Sequence, residues 1–122
     1  MFLGLRTVSY HTPDLEKAEK WYSELLGFEP YFAEPFYVGF NVGGYELGLL
    51  PDSEFGQPGV GGATPFWGVP NCEAAYKKLL EHGAKPQCAV KDVGSGIMIA
   101  SVFDPFGNVI GIIENPHFKL PD

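Results

Sequence analysis

The chain aligns with itself, and no other feature constrains its fold as strongly. Moving it by 57 residues sets Thr7 on Thr64, Pro13 on Pro70, Asp14 on Asn71, Glu16 on Glu73, Ala18 on Ala75 and Lys20 on Lys77. One residue is then lost, and at a shift of 56 the run Gly27-Phe28-Glu29-Pro30 falls on Gly83-Ala84-Lys85-Pro86. At 63, FNVGGYELGLL (Phe40 to Leu50) falls on FDPFGNVIGII (Phe103 to Ile113), with Phe40 on Phe103, Gly44 on Gly107 and Gly48 on Gly111. Matches at three registers, in one order, argue that both halves build the same unit.

Each copy opens on a β-like run, RTVSYHT or TPFWGV, and continues into a helix. Leu15, Ala18, Tyr22, Leu25 and Leu26 recur at helical spacing in the first, as do Cys72, Ala75, Tyr76, Leu79 and Leu80 in the second. Asp14 and Asn71 stand where a short side-chain oxygen can accept from the free amides of a first helical turn. Gly27 and Gly83 stand where the chain leaves the helix and a positive φ is favoured. Glu16–Lys20 and Glu73–Lys77 are spaced as i,i+4 pairs. Three β-like runs follow each helix, over 28–33, 36–41 and 45–50, then over 86–93, 97–103 and 108–114. Turn sequences NVGG and DPFGN join hairpin strands. The expected architecture is α+β: two βαβββ modules forming curved mixed sheets around a cavity, with helices on the outer face. Module 1 spans about 1–50, a Pro/Gly-rich linker about 51–62, and module 2 about 63–122.

The length, 122 residues, fits one such domain with a real core, since 45% of the chain is hydrophobic. Eight basic against fifteen acidic residues leave a net charge of −7. A phosphate backbone or anionic bilayer is repelled, so neither nucleic acid nor membrane is an expected partner. No apolar run reaches the roughly 18 residues of a spanning helix. The opening MFLGLRTVSY lacks the plan of a secretory signal, and a cytoplasmic location is expected. Cys72 and Cys88 match neither a disulfide framework nor a metal knuckle and read as reduced thiols. Neither GVGG (59–62) nor VGSG (93–96) is followed by a helix that would aim amides at a phosphate.

The text HTPDLEKAEKWYSELLGFEP and the C-terminal DPFGNVIGIIE, together with the doubled βαβββ count, resemble the vicinal-oxygen-chelate superfamily. That superfamily includes glyoxalase I, bleomycin-resistance proteins and extradiol dioxygenases. The resemblance covers essentially the whole chain. It implies a homodimer with a small-molecule cavity. In metal-dependent members it also implies a divalent ion held by His or Gln on the first strand of each module and Glu on the last.

Counted onto this chain, the resemblance places the four ligand positions at Thr7, Gly48, Thr64 and Gly111. Threonine hydroxyls are poor ligands for first-row metals and glycine has no side chain, so no metal and no other cofactor is expected. Alternation puts Ser9 and His11 on the face of Thr7, and Glu46 on that of Gly48. A carboxylate in the apolar run YELGLL is at a rim, paired, or a general acid or base; Glu46 and His11 are therefore the catalytic candidates. Tyr31, Tyr37, Phe66 and Met98 are available to line the cavity, with Thr7, Ser9, Gly48, Thr64 and Gly111 beside them. Glu114 has the opposite parity to Gly111. His82 ends the second helix, where a cation is favoured, and His117 belongs to a proline-bounded tail.

Three functions follow as expectations. The leading one is a glyoxalase/bleomycin-resistance-like protein with a degenerate metal site, binding a small hydrophobic or aromatic molecule. The alternatives are a lyase, isomerase or dioxygenase of the same superfamily, metal-dependent or using Glu46 or His11 as base, and a dimeric structural module.

Overall fold

The computed structural model describes residues 1–122 apart from 2, 4, 54, 55, 62, 121 and 122. It divides into two compact units, Met1–Gly59 and Val60–Asp122. Of the expected linker, Pro51 closes a strand and Ser53 bridges Gly56 within the first unit. Residues 54, 55 and 62 of that linker lie outside the described set.

The first unit runs β1 (Thr7–Thr12), α1 (Leu15–Leu26), β2 (Phe32–Glu34), β3 (Tyr37–Val42) and β4 (Tyr45–Pro51), with strand order β1-β4-β3-β2. The second runs β5 (Phe66–Gly68), α2 (Cys72–Glu81), β6 (Lys85–Asp92), β7 (Met98–Phe103) and β8 (Val109–Glu114), with order β5-β8-β7-β6. In each, the first strand pairs parallel to the last and the rest of the sheet is antiparallel. The repeat is thus a repeat of topology, βαβββ in an open mixed sheet.

The helices form where the caps predict. Asp14 accepts from the Lys17 amide at 3.1 Å and Asn71 from the Ala74 amide at 2.9 Å. Gly27 takes φ +84 and ends α1. Around α2 the left-handed residue is Gly83 at φ +104, one place after the cap His82. The expected pairs Glu16–Lys20 and Glu73–Lys77 do not close; Lys77 reaches forward to Glu81 at 3.9 Å instead. Both ends of that pair are largely exposed, so it adds little stability.

Period-2 alternation sorts each sheet into two faces. In the first unit Tyr10, Val38, Phe40, Leu47 and Leu49 are buried with Ala18 and Tyr22 of α1, and the Tyr10 and Tyr22 rings stack at 6.0 Å. Burying one such side chain contributes roughly 1.5–3 kcal/mol. The equivalent face of the second unit buries Ala100, Val102, Ile110 and Ile112 with Cys72 and Leu79 of α2. The opposite face of each sheet carries the glycines Gly48 and Gly111.

β2 is shorter than the 28–33 run predicted for it. Pro30 has no amide to give a ladder, so pairing starts with Tyr31, whose amide donates to the Gly39 carbonyl at 3.0 Å. The DPFGN turn is built on Asp104, which is 3% exposed. Its Oδ1 accepts from the Phe106 and Asn108 amides at 2.9 and 2.8 Å, and its Oδ2 from Asn108 Nδ2 at 3.0 Å. The motif that looks most like a signature is therefore a self-capped hairpin. Glu114, at the end of β8, accepts from the Cys72 amide at 2.8 Å and ties the last strand to the first turn of α2.

Candidate functional site

The helix-free face of the first sheet is ordered in rows by its register. Thr7 stands opposite Glu46, which stands opposite Asn41; Ser9 is opposite Gly48, which is opposite Gly39, which is opposite Phe32. His11 is opposite Leu50. Thr7, Ser9, His11, Glu46 and Gly48 thus share one face. They do not form one cluster, since Glu46 and Leu50 are four residues apart along β4, about 13 Å at strand rise. The His11 ring is half-buried against the linker residue Gly56: a Cβ built there would fall 2.7 Å from His11 Nδ1.

The residues that do come together are Tyr31, Tyr37 and Glu46. The Tyr31 hydroxyl donates to Glu46 Oε1 and the Tyr37 hydroxyl to Oε2. Two glycines make this possible. The Tyr37 ring lies across Gly48, where a Cβ would meet Tyr37 Cε1 at 2.9 Å. Over Gly39 a Cβ would meet Tyr37 at 3.2 Å, Tyr31 at 3.3 Å and Glu46 Oε1 at 3.4 Å. Phe32 continues the aromatic surface, 6.2 Å from Tyr37 and 6.1 Å from Phe36 by ring centroid.

The electrostatics follow from these contacts. Hydrogen bonds from Tyr31 and then Tyr37 hold the Glu46 carboxyl below its ordinary range, against a smaller opposing effect of burial. The phenols move the other way: the bond to Glu46 raises Tyr31, while burial and then that bond raise Tyr37. At neutral pH the group is two neutral donors around one anion. No Lys, Arg or His nitrogen lies within 4.0 Å of Glu46 among the described residues. Arg6, next to Thr7, turns its guanidinium to the Leu5 carbonyl at 3.5 Å.

In the second unit Phe66 stands opposite Gly111, and its ring covers that glycine; a Cβ there would be 2.8 Å from Phe66 Cδ1 and 2.5 Å from the Pro65 carbonyl oxygen. An aromatic ring therefore occupies the space above each of the two glycines, Tyr37 over Gly48 and Phe66 over Gly111. Ser101, opposite Gly111, donates to Gln87 Oε1 at 2.7 Å. Thr64 is exposed just ahead of β5. Met98 pairs with Glu114, so it alternates onto the face opposite Gly111 and away from that ring. The buried Cys72 thiol is pushed up by burial and then by Glu114 and Glu73, which makes it unreactive.

Among the described residues no three His, Cys, Asp or Glu side chains come together in a way that could hold a metal ion. An open hollow is lined by Glu16, Glu19, Lys20, Ser23 and Glu24 of α1 and by Glu29 beyond its end. Glu46, Tyr31 and Tyr37 were all candidates by sequence, but not as one hydrogen-bonded group. Gly39, Phe32 and Phe36 were missed, although YVGFNV alternates Gly39 onto the face of Tyr37. None of the described helices is long and apolar enough to cross a membrane.

Solved structures share this fold. A glyoxalase-related enzyme from Fulvimarina pelagi superposes with TM-score 0.77 at 18% identity, covering 98% of this chain and 94% of that one. Lactoylglutathione lyase from Agrobacterium tumefaciens gives 0.74 at 17%, covering 98% and 100%. A glyoxalase/bleomycin resistance protein from Albidiferax ferrireducens T118 gives 0.72 at 21%, covering 91% and 98%. At these identities the likeness speaks for the fold. A comparison with curated protein sequences gives no match. The family model of the Glyoxalase/Bleomycin resistance protein/Dioxygenase superfamily, however, matches residues 4–112. Doubled topology, paired parallel first and last strands and that match agree, and the chain belongs to this superfamily.

Proposed function

We propose that this protein binds a small hydrophobic or aromatic molecule on the helix-free sheet faces, and that the metal centre of its metal-dependent relatives is absent from it. The observation that carries this reading is the covering of Gly48 by Tyr37 and of Gly111 by Phe66. At two of the four ligand positions the donor is missing and an aromatic ring fills its place. The other two, Thr7 and Thr64, offer neutral hydroxyls. This donor set does not fit a first-row metal ion.

What remains is ring surface with a few polar groups, the make-up of a site for a small organic molecule. Glu46 is better suited to recognition than to proton abstraction. Both its oxygens already accept hydrogen bonds, and a carboxylate held below its ordinary pKa is a weakened base. Assembly as a homodimer belongs to the same proposal.

A thermal-shift screen of small aromatic compounds tests the reading, because a ligand of the native state raises its melting temperature. A rise of several degrees with some aromatic compounds is expected. No rise across a broad set removes the binding role and favours the structural module. Stoichiometric bound metal that confers turnover on a hemithioacetal overturns the metal-free reading.

A further inference from the structure

Glu46 has no counterpart in the second unit. By register Gly48 and Gly111 correspond, so the residue two places earlier is Glu46 in one copy and the buried Val109 in the other. The polar group is an addition to the first face. It also carries an uncompensated charge, since its two partners are neutral phenols and no cationic side chain among the described residues reaches it.

Two aromatic rings meet that charge and two more extend the surface outward from them. Tyr31 and Tyr37 donate to the carboxylate, Phe32 lies against Tyr37, and Phe36 lies against Phe32. Tyr31 and Phe36 are each 66% exposed and Phe32 is 39% exposed, so the rings are open to solvent. An aromatic face attracts a cation through its quadrupole, and each carboxylate oxygen has a second lone pair beyond the one a phenol occupies. A neutral aromatic guest would use the rings and leave the charge unanswered. The protein's net charge of −7 adds a field of the same sign.

We propose that this face of the first unit takes an organic cation, an ammonium or amidinium carried on a flat apolar body, with Glu46 as its counter-charge and the rings of Tyr31, Phe32, Phe36 and Tyr37 as its wall. The assignment rests on the ligand-binding reading above and adds the chemical class of the guest. Tyr31 and Tyr37 act as positioning residues, fixing the carboxylate in its ionised form among the rings.

The test uses two probes of one shape on the full chain: 2-naphthylmethyl-trimethylammonium, a permanent cation, and the neutral 2-naphthylmethanol. Affinity and location are read from amide chemical shifts. The cation is expected to bind about tenfold tighter than the alcohol, on the scale of an ion pair combined with cation–π contact. Its shifts should centre on Gly39, Glu46 and Gly48. Glu46→Gln should remove the ion-pair share and cut the preference several-fold, leaving the smaller share that the rings supply, while the amide spectrum stays that of a folded protein. Phe36→Ala, at an exposed turn position, should weaken the cation several-fold and serves as the second variant if Glu46→Gln does not fold. Equal affinity for both probes, or shifts centred elsewhere, overturns the cation assignment and leaves the wider binding reading standing. Binding of neither probe also overturns the assignment, and the wider reading is then decided by the thermal-shift screen alone.

Discussion

At the scale of single residues, two glycines and one carboxylate decide what the sheet faces can do. Gly111 is boxed in by backbone as well as by a ring, whereas the nearest atoms above Gly48 all belong to the Tyr37 side chain. Gly111→Ala is therefore expected to cost about 1–3 kcal/mol in urea unfolding, as overpacking does, and Gly48→Ala clearly less, because Tyr37 can swing aside. Equal costs would show that the Pro65 carbonyl is not the obstacle. Glu46 gives a pH signature whose sign is fixed. Its folded pKa lies below its unfolded one, so the stability it supplies is full above the ordinary 4.5 and disappears as pH falls through the folded value. Tyr37→Phe should therefore lower the urea midpoint relative to wild type at pH 7, with the gap shrinking under acid conditions. A gap that stays constant from pH 7 to strong acid would exclude the hydrogen-bonded carboxylate as its source.

At the scale of elements, the β7–β8 hairpin depends on one buried aspartate. Replacing Asp104 by Ala leaves the Phe106 and Asn108 amides and the Asn108 side chain without their acceptor. Hydrogen bonds to a charged group are worth about 1.5–3 kcal/mol, so a loss near 3 kcal/mol is expected by denaturant titration. A loss under 1 kcal/mol would mean that the turn is held by its backbone bonds. Helices, caps and hairpins were legible in the sequence because each rests on local chemistry: a short oxygen before a helix, a left-handed glycine after it, Asn41 and the positive-φ pair Gly43-Gly44 in the β3–β4 turn. The length of β2 was not legible to the same degree, because it is set by Pro30 acting against pairing with Gly39. The i,i+4 pairs on the helices failed for a related reason: exposed charges gain too little to hold one partner over another. The candidate site was legible as a set of positions through alternation. What alternation cannot give is where a ring lies once its Cα is placed, and so the meeting of Tyr31 and Tyr37 at Glu46 was hidden.

At the scale of the molecule, the repeat predicted the doubled topology, since two copies of one sequence pattern bury the same surfaces. It did not predict the chemistry, because the copies differ where it matters, Glu46 against Val109. Adding Zn²⁺, Ni²⁺, Mn²⁺ or Fe²⁺ at a few equivalents should leave the melting temperature of the purified protein unchanged, because an ion without a donor set in the native state gives no linkage. A saturable rise at one equivalent per chain would contradict the metal-free proposal. If the protein is a homodimer as proposed, light scattering should return twice the chain mass of 13.3 kDa. A value of one chain mass at micromolar concentration would remove that part.

The rings that roof the two glycines come from different strands: Tyr37 from β3 in one copy, Phe66 from β5 in the other. In each copy the place used by its sibling holds something else, Ser9 where the second has Phe66 and, by register, Ile99 where the first has Tyr37. An engineer wishing to return an ion-gripping side chain to either floor therefore faces two separate problems. Gly48→Glu needs the phenol of Tyr37 removed in the same variant, Gly111→Glu needs Phe66 removed and the strand beside it eased, and neither repair instructs the other.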